Sequence, residues 1–172
     1  MIINEIISRK SLKPKDGTAA LSQGLLNKII TVDELVGYAC LAKNTAKATC
    51  IEALEWATKS NPEIATMGCW VFVTQSLGSK APRVKWESAK VIGNIALYFP
   101  NWLDTAIKNL LINSAHSGTV VRWSAAYALG EIIQIKALQD EILILALHAI
   151  CEQEEKARIK KIYQAAFKRL SK

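Results

Sequence analysis

Two stretches of the chain, VKWESAKVIGNI at residues 84–95 and VRWSAAYALGEI at residues 121–132, are copies of one another. A shift of 37 residues superimposes six identical or similar pairs: Val84 and Val121, Lys85 and Arg122, Trp86 and Trp123, Ala89 and Ala126, Gly93 and Gly130, and Ile95 and Ile132. Repetition at a period of about 20 to 50 residues is typical of solenoids, whose units bury their apolar faces by stacking on their neighbours. The duplication therefore predicts a repeat architecture.

The rest of the chain has the periodicity of further helices, and no segment alternates apolar and polar residues as a half-buried strand would. Pro14 is expected to precede a helix over residues 18–29, Pro62 to open one over 62–77, and Thr31-Val-Asp-Glu34 to form a capping box. The helices pair into repeats at 31–60, 61–98, 101–135 and 138–170, after N-terminal helices in 1–30. The sequence thus predicts a single all-α domain over residues 1–172, a right-handed α–α superhelix of about four helix pairs plus N-terminal helices.

The composition of the 172-residue chain suits a single domain with a large apolar core. Its four cysteines lack CxxC spacing and lie in apolar or alanine-rich segments, which indicates that they are reduced core residues. The N-terminus lacks the pattern of a secretory signal, and the apolar run 142–150 is too short to span a bilayer. We therefore expect a cytoplasmic protein without a membrane partner.

The net charge of +7 is concentrated at the ends of the chain. Residues 156–172 carry seven lysines and arginines and no acidic residue, whereas residues 16–155 carry eleven basic and fourteen acidic residues. A protein that follows a phosphate backbone more often spreads its basic residues along the repeats. The basic ends are interpreted mainly as solvated outer faces of terminal helices.

Motifs for catalysis, metals and cofactors are missing from the sequence. It contains no HExxH, paired CxxC, GxSxG, GxxxxGK[ST] or GxGxxG pattern, and its two histidines stand apart from other ligand residues. The run 152–155 is interpreted as a solvated turn, and the carboxylates of Glu87, Asp104 and Glu131 are placed on exposed helical positions. We predict no catalytic residue, no metal site and no cofactor, and hence a protein that is not an enzyme.

The pattern Val-Arg/Lys-x-x-Ala-x-x-x-(Leu/Ile)-Gly in both copies resembles the HEAT repeats, which are armadillo-like α-solenoids. The family usually has an aspartate in the turn before the Val-Arg pair, where this chain has Ser79 and Ser117. The resemblance implies that the second helix of each pair lines a concave surface. The resemblance indicates little about function, because proteins with one fold have many functions.

Side chains of the two copies are predicted to face this concave groove. If residues 84, 88, 91, 92 and 95 point to the core, Trp86 lies about 200° away on the helical wheel. The candidate partner-binding residues are then Trp86, Lys90, Asn94, Trp123, Tyr127 and Glu131. The tryptophans form a binding hot spot, or they fold over the next helix and seal the joint between repeats. Lys85 and Arg122 are expected to bond to turn carbonyls.

The leading functional hypothesis is a non-catalytic scaffold that binds a protein or peptide partner in the groove. The alternative is a nucleic-acid binder or an alkylated-base DNA glycosylase, an activity that some HEAT-like solenoids have. In that case Trp86, Trp123 and Tyr127 would stack on bases, and Lys90, Lys161 and Arg169 would contribute positive charge. The chain is expected to be a monomer or a weak homo-oligomer associating through its N-terminal face.

Overall fold

A computed structural model describes residues 2–9, 13–135 and 140–171. The predicted helix start at residue 138 lies outside the described residues. Those residues form ten α-helices, and short 3₁₀ turns lie at Pro62–Ile64, Ala96–Tyr98 and Pro100–Trp102. The helices are α1 (Ile2–Ser8), α2 (Pro14–Leu26), α3 (Val32–Leu41), α4 (Asn44–Ser60), α5 (Met67–Ser76), α6 (Pro82–Ile95), α7 (Leu103–Ser114), α8 (Thr119–Ile132), α9 (Glu141–Gln153) and α10 (Ala157–Leu170).

The helices form two layers. The even-numbered helices α2, α4, α6, α8 and α10 contact one another in chain order and form one layer, which we call the inner layer because the resemblance places it there. Each odd-numbered helix packs against the even-numbered helix that follows it, and α3, α5 and α7 also touch in sequence. Within the described residues there is no strand. The predicted all-α solenoid is thereby confirmed.

Two predicted helix starts are wrong, for opposite reasons. Helix α2 begins at Pro14 rather than at residue 18. Proline suits the first helical position, because a backbone N–H at that position would have no partner within the helix. Helix α5 begins at Met67 rather than at Pro62, because the Thr66 hydroxyl accepts a hydrogen bond from the Cys69 amide and caps the helix. The capping box of Thr31 and Glu34 is confirmed at the start of α3.

The predicted core face of α6 is confirmed by burial, since residues 84, 88, 91, 92 and 95 are all buried. Cys50, Cys69 and Cys151 are buried as predicted, whereas Cys40 is exposed at the end of α3. No helix of the described ranges has the length and apolar character that a bilayer crossing requires.

Successive inner helices approach closely at the two glycines of the duplicated stretch. A Cβ atom on Gly93 would lie 2.8 Å from Cδ1 of Tyr127, whose ring lies against the glycine. A Cβ atom on Gly130 would lie 3.1 Å from Cβ of Ala166 on α10. Both glycines therefore make room for the next inner helix, which explains why they repeat at the solenoid period.

The basic residues that follow Val84 and Val121 hold the repeats together. Lys85 Nζ donates to the Leu77 carbonyl and to Asn113 Oδ1, each at 2.9 Å. Arg122 donates to the carbonyls of His116 and Ser117, each at 3.0 Å. The predicted bonds to turn carbonyls are thus present at both positions.

Arg122 also forms a bidentate ion pair with Glu154, at 2.9 and 3.2 Å. Glu154 is 8% exposed, so the interpretation of 152–155 as a solvated turn is wrong at this residue. Glu154 lies in the turn before α10, where its ion pair with Arg122 of α8 links the last two repeats. The hydrogen bond from Arg122 lowers the pKa of the Glu154 carboxyl below its ordinary value.

Gly93→Ala should lower the free energy of unfolding by about 1–3 kcal/mol, because the new methyl group displaces the Tyr127 ring. The matched control is Gly37→Ala, at an exposed position inside α3 where no atom lies within 4 Å of the added Cβ. That change should raise stability by about 0.5–1 kcal/mol through helix propensity. Urea titration measures both, and equal stabilisation by the two changes would contradict the packing described here.

Arg122→Met should lower the free energy of unfolding at pH 7 by about 3 kcal/mol, because it leaves the buried Glu154 carboxylate without its partner. Since the folded-state pKa of Glu154 is depressed, the stabilisation is present above the unfolded-state pKa and is lost as the pH falls through the folded-state pKa. The difference from the unmodified chain should therefore shrink as the pH is lowered to about 3. Lys108→Met, at an exposed position on α7, is the control, and a loss no larger than in that control would contradict the role given to the ion pair.

Candidate functional site

The six predicted groove residues lie on the two central inner helices. Trp86, Lys90 and Asn94 lie on α6, and Trp123, Tyr127 and Glu131 occupy the corresponding positions of α8; all six are partly buried. Tyr127 Oη donates to Asn94 Oδ1 at 2.7 Å, so the two rows of three meet across the joint between the helices.

The aromatic side chains of the groove are held in place and still partly accessible. The rings of Trp123 and Tyr127 stack with their centroids 6.1 Å apart and an interplanar angle of 16°. Trp86 Nε1 donates to Glu87 Oε1 at 2.8 Å. Tyr127 covers Gly93 and so seals the joint between α6 and α8, whereas both indoles keep some exposed surface.

Asn94 links three consecutive inner helices. Its Nδ2 donates to the Glu55 carbonyl and to Thr58 Oγ1 on α4, each at 3.1 Å, while its Oδ1 accepts from Tyr127 on α8. Burial raises the pKa of Tyr127 to about 12, which keeps the phenol protonated as a donor at neutral pH. The side-chain amide of Asn94 therefore uses both its nitrogen and its oxygen in hydrogen bonds that join α4, α6 and α8.

The basic side chains proposed to contribute positive charge are largely neutralised. Lys90 Nζ lies 2.8 Å from Glu87 Oε2, and Arg169 Nη2 lies 2.8 Å from Glu131 Oε1. On the neighbouring side, Arg83 Nη2 lies 2.8 Å from Glu52 Oε2, which also accepts from Thr18 on α2. Each of these cations has a carboxylate at hydrogen-bond distance.

Two buried carboxylates share Lys90. Glu87 is 4% exposed and Glu55, on α4, is 6% exposed, so the placement of Glu87 on an exposed position is wrong. Lys90 Nζ bonds to Glu87 and lies 3.6 Å from Glu55 Oε2, too far for a hydrogen bond. The Lys90 ammonium thus lies between two buried carboxylates, one on α4 and one on α6.

Glu55 has an unusual environment for an ionised group. Burial, with repulsion from Glu87, raises the pKa of its carboxyl above the ordinary value although Lys90 acts in the opposite direction. A carboxylate in this position gains most from a further cation, which would supply the hydrogen bond that Lys90 does not make. The Trp86 indole lies next to this cluster, because its Nε1 donates to Glu87 Oε1.

Sequence reasoning missed Glu55, although a signal was present. Ile51, Glu55 and Thr58 are spaced by four and three residues, which places the glutamate on the buried edge of α4. The sequence does not show that Glu87 and Lys90 face this edge, because that depends on the angle at which α6 packs against α4.

Metal-binding clusters of three or more histidine, cysteine or acidic residues are not found in the described ranges 2–9, 13–135 and 140–171. The groove carries the partly exposed rings of Trp86, Trp123 and Tyr127 beside the hydrogen bonds and ion pairs that join the inner helices.

Comparisons with known proteins bear on the fold. No protein-family model and no curated protein matches the sequence. Among solved structures, the chain is similar to the designed armadillo repeat protein YIII(Dq.V1)4CPAF in complex with peptide (KR)4, with 15% sequence identity, a TM-score of 0.52 and coverage of 97% of both chains. At this identity the likeness concerns the fold alone. The chain thus has the armadillo-like α-solenoid fold that its duplicated helix predicts.

Proposed function

We propose that the chain is a non-catalytic protein-interaction module whose inner helices bind a cationic segment of a partner protein. The observation that carries the proposal is the Glu55 carboxylate, which is buried beside the groove, lies 3.6 Å from the Lys90 ammonium and shares that ammonium with Glu87. A lysine or arginine of the partner would supply the missing donor. The cost of desolvating Glu55 is already met in the folded chain, which is what a preorganised site requires.

Aromatic groups support the same proposal. The Trp86 indole, whose Nε1 donates to Glu87 of the acidic joint, and the Trp123 indole on α8 are both partly exposed, and indole faces attract cationic side chains through cation–π contacts. Tryptophan is enriched among the residues that carry most of the energy at protein interfaces. The neighbouring structure holds a peptide, (KR)4, and this makes it a suitable first probe.

The groove's ion pairs argue against the nucleic-acid alternative. Lys90 and Arg169 are each bonded to a glutamate, so neither is available to neutralise phosphate without breaking that bond. The carboxylates of Glu55 and Glu87 would repel a phosphate backbone. Lys161 remains exposed on α10, which is a poor basis for a continuous phosphate track.

Fluorescence anisotropy of labelled (KR)4 tests the proposal. The unmodified chain should bind, and Glu55→Gln should weaken binding about tenfold, the effect of losing one charge-assisted hydrogen bond. Because the chain has a net charge of +7, unspecific attraction of a cationic peptide is opposed, and binding would report the local site. Glu63→Gln, at an exposed position outside the groove, is the matched control.

Equal affinities of Glu55→Gln and Glu63→Gln for (KR)4 would contradict the proposal. Tighter, salt-dependent binding of a DNA oligonucleotide to the unmodified chain would favour the alternative function instead.

The affinity for (KR)4 should also fall as the pH is lowered, and the fall should begin above the ordinary glutamate pKa of about 4.3. The folded-state pKa of Glu55 is raised, so its carboxyl takes up a proton before an ordinary glutamate does and then no longer attracts the peptide. The lysine and arginine side chains of the peptide keep their charge, and an N-acetylated peptide lacks the α-amino group that titrates at about pH 8. The fall should be largely absent in Glu55→Gln, and the same pH dependence in that variant would rule out Glu55 as its source.

A further inference from the structure

A pocket of about 360 Å³ lies between the first turns of the inner helices α8 and α10. Its walls are mostly apolar and include Val120 and Trp123 from α8 and Ala157 and Ile159 from α10, with charged residues of the turn before α10 at the rim. Val120 is 50% exposed and the Trp123 indole is partly buried, so the pocket presents apolar surface that the chain itself leaves open.

The residues at this joint differ from those between α6 and α8. A shift of 38 residues places Lys161 and Ala165 of α10 at the positions that Trp123 and Tyr127 occupy in α8. Between α6 and α8, the Tyr127 ring covers Gly93. Between α8 and α10, Ala166 approaches Gly130 instead, and the Trp123 indole forms part of the pocket wall near the start of α8.

From these features we propose that the pocket receives one large apolar side chain of the partner segment that binds at Glu55. The inference rests on the proposed function and adds a second anchor to it. The two anchors lie on the same layer, one between α4 and α6 and the other between α8 and α10. Neighbouring helix axes are about 8–10 Å apart, so about 16–20 Å separates them. An extended chain covers that distance in about five or six residues.

The charged side chains at the two anchors differ. At the joint of α4 and α6 two buried carboxylates share the Lys90 ammonium, whereas the pocket is lined by Lys156 and Arg158 as well as Glu155. A segment that fits both ends has a cationic residue at one end and, five or six residues away, an apolar residue next to an acidic one. This charge order gives the segment one favoured direction along the groove.

Paired peptides test the inference. Each peptide contains a Lys-Arg block, a spacer, and a test residue five or six residues from the block. The test residue is phenylalanine in one peptide and serine in its partner, and glutamate follows it in both. Each pair is also made with the block and the test residue in the reverse order. In one of the two orders, the unmodified chain should bind the phenylalanine peptide about tenfold more tightly than the serine peptide, since burial of an aromatic side chain is lost in the latter.

Val120→Asp should reduce this phenylalanine-to-serine ratio to near one, because it places a charge in the apolar wall. An acidic residue in the first turn of a helix is compatible with folding. Val71→Asp is the matched control, at an exposed valine of the outer helix α5, and should leave the ratio unchanged. A ratio near one in the unmodified chain, or the same ratio in Val120→Asp, would overturn the proposal.

A second measurement separates the pocket from the cationic site. N-acetyl-phenylalaninamide at millimolar concentration should shift the indole Nε1–H resonance of Trp123 in the unmodified chain but not in Val120→Asp. If no peptide binds and this shift is seen, the proposed function fails while the pocket stands. If the shift is not seen, the pocket is not a site for an apolar side chain.

Discussion

The close approach of successive inner helices is the constraint on which the rest of the structure depends. Glycine at residues 93 and 130 removes the side chain that would keep α6 from α8 and α8 from α10. Once the helices are this near, polar side chains on their shared face reach one another, as Asn94 does across α4, α6 and α8. The cohesion of the inner layer and the chemistry of its surface therefore have a common origin.

The surface that holds the repeats together is also the surface that we propose binds a partner. Tyr127 and Asn94 are used for cohesion, Lys85 and Arg122 join the turns, and Arg169 pairs with Glu131. Glu55 and the two indoles remain, with a capacity for further contacts that the chain does not fill. A partner bound there would meet a scaffold whose geometry is already fixed, and little ordering would oppose binding.

The fold was largely predictable from the sequence because the repeat and the helical periodicity are local signals. The duplicated stretch identified the inner helices, their core face and the row of residues opposite it. The starts of helices were predicted less accurately from the sequence. Pro14 begins an α-helix and Pro62 does not, because the Thr66 side chain caps the later helix α5. Glu55, Glu87 and Glu154 were missed or misplaced, because whether a carboxylate is buried depends on the side chains that neighbouring repeats bring to it.

The most direct test of the central claim, that the inner face is the binding surface, is an NMR titration of the indole Nε1–H resonances with (KR)4. The chain has five tryptophans, and two of them serve as internal controls: Trp70 is buried at 2% exposure, and Trp102 is 60% exposed away from the inner helices. We expect the signals of Trp86 and Trp123 to shift and those of Trp70 and Trp102 to remain unchanged. Shifts confined to Trp102, or no shift of Trp86 and Trp123 at saturating peptide, would contradict it.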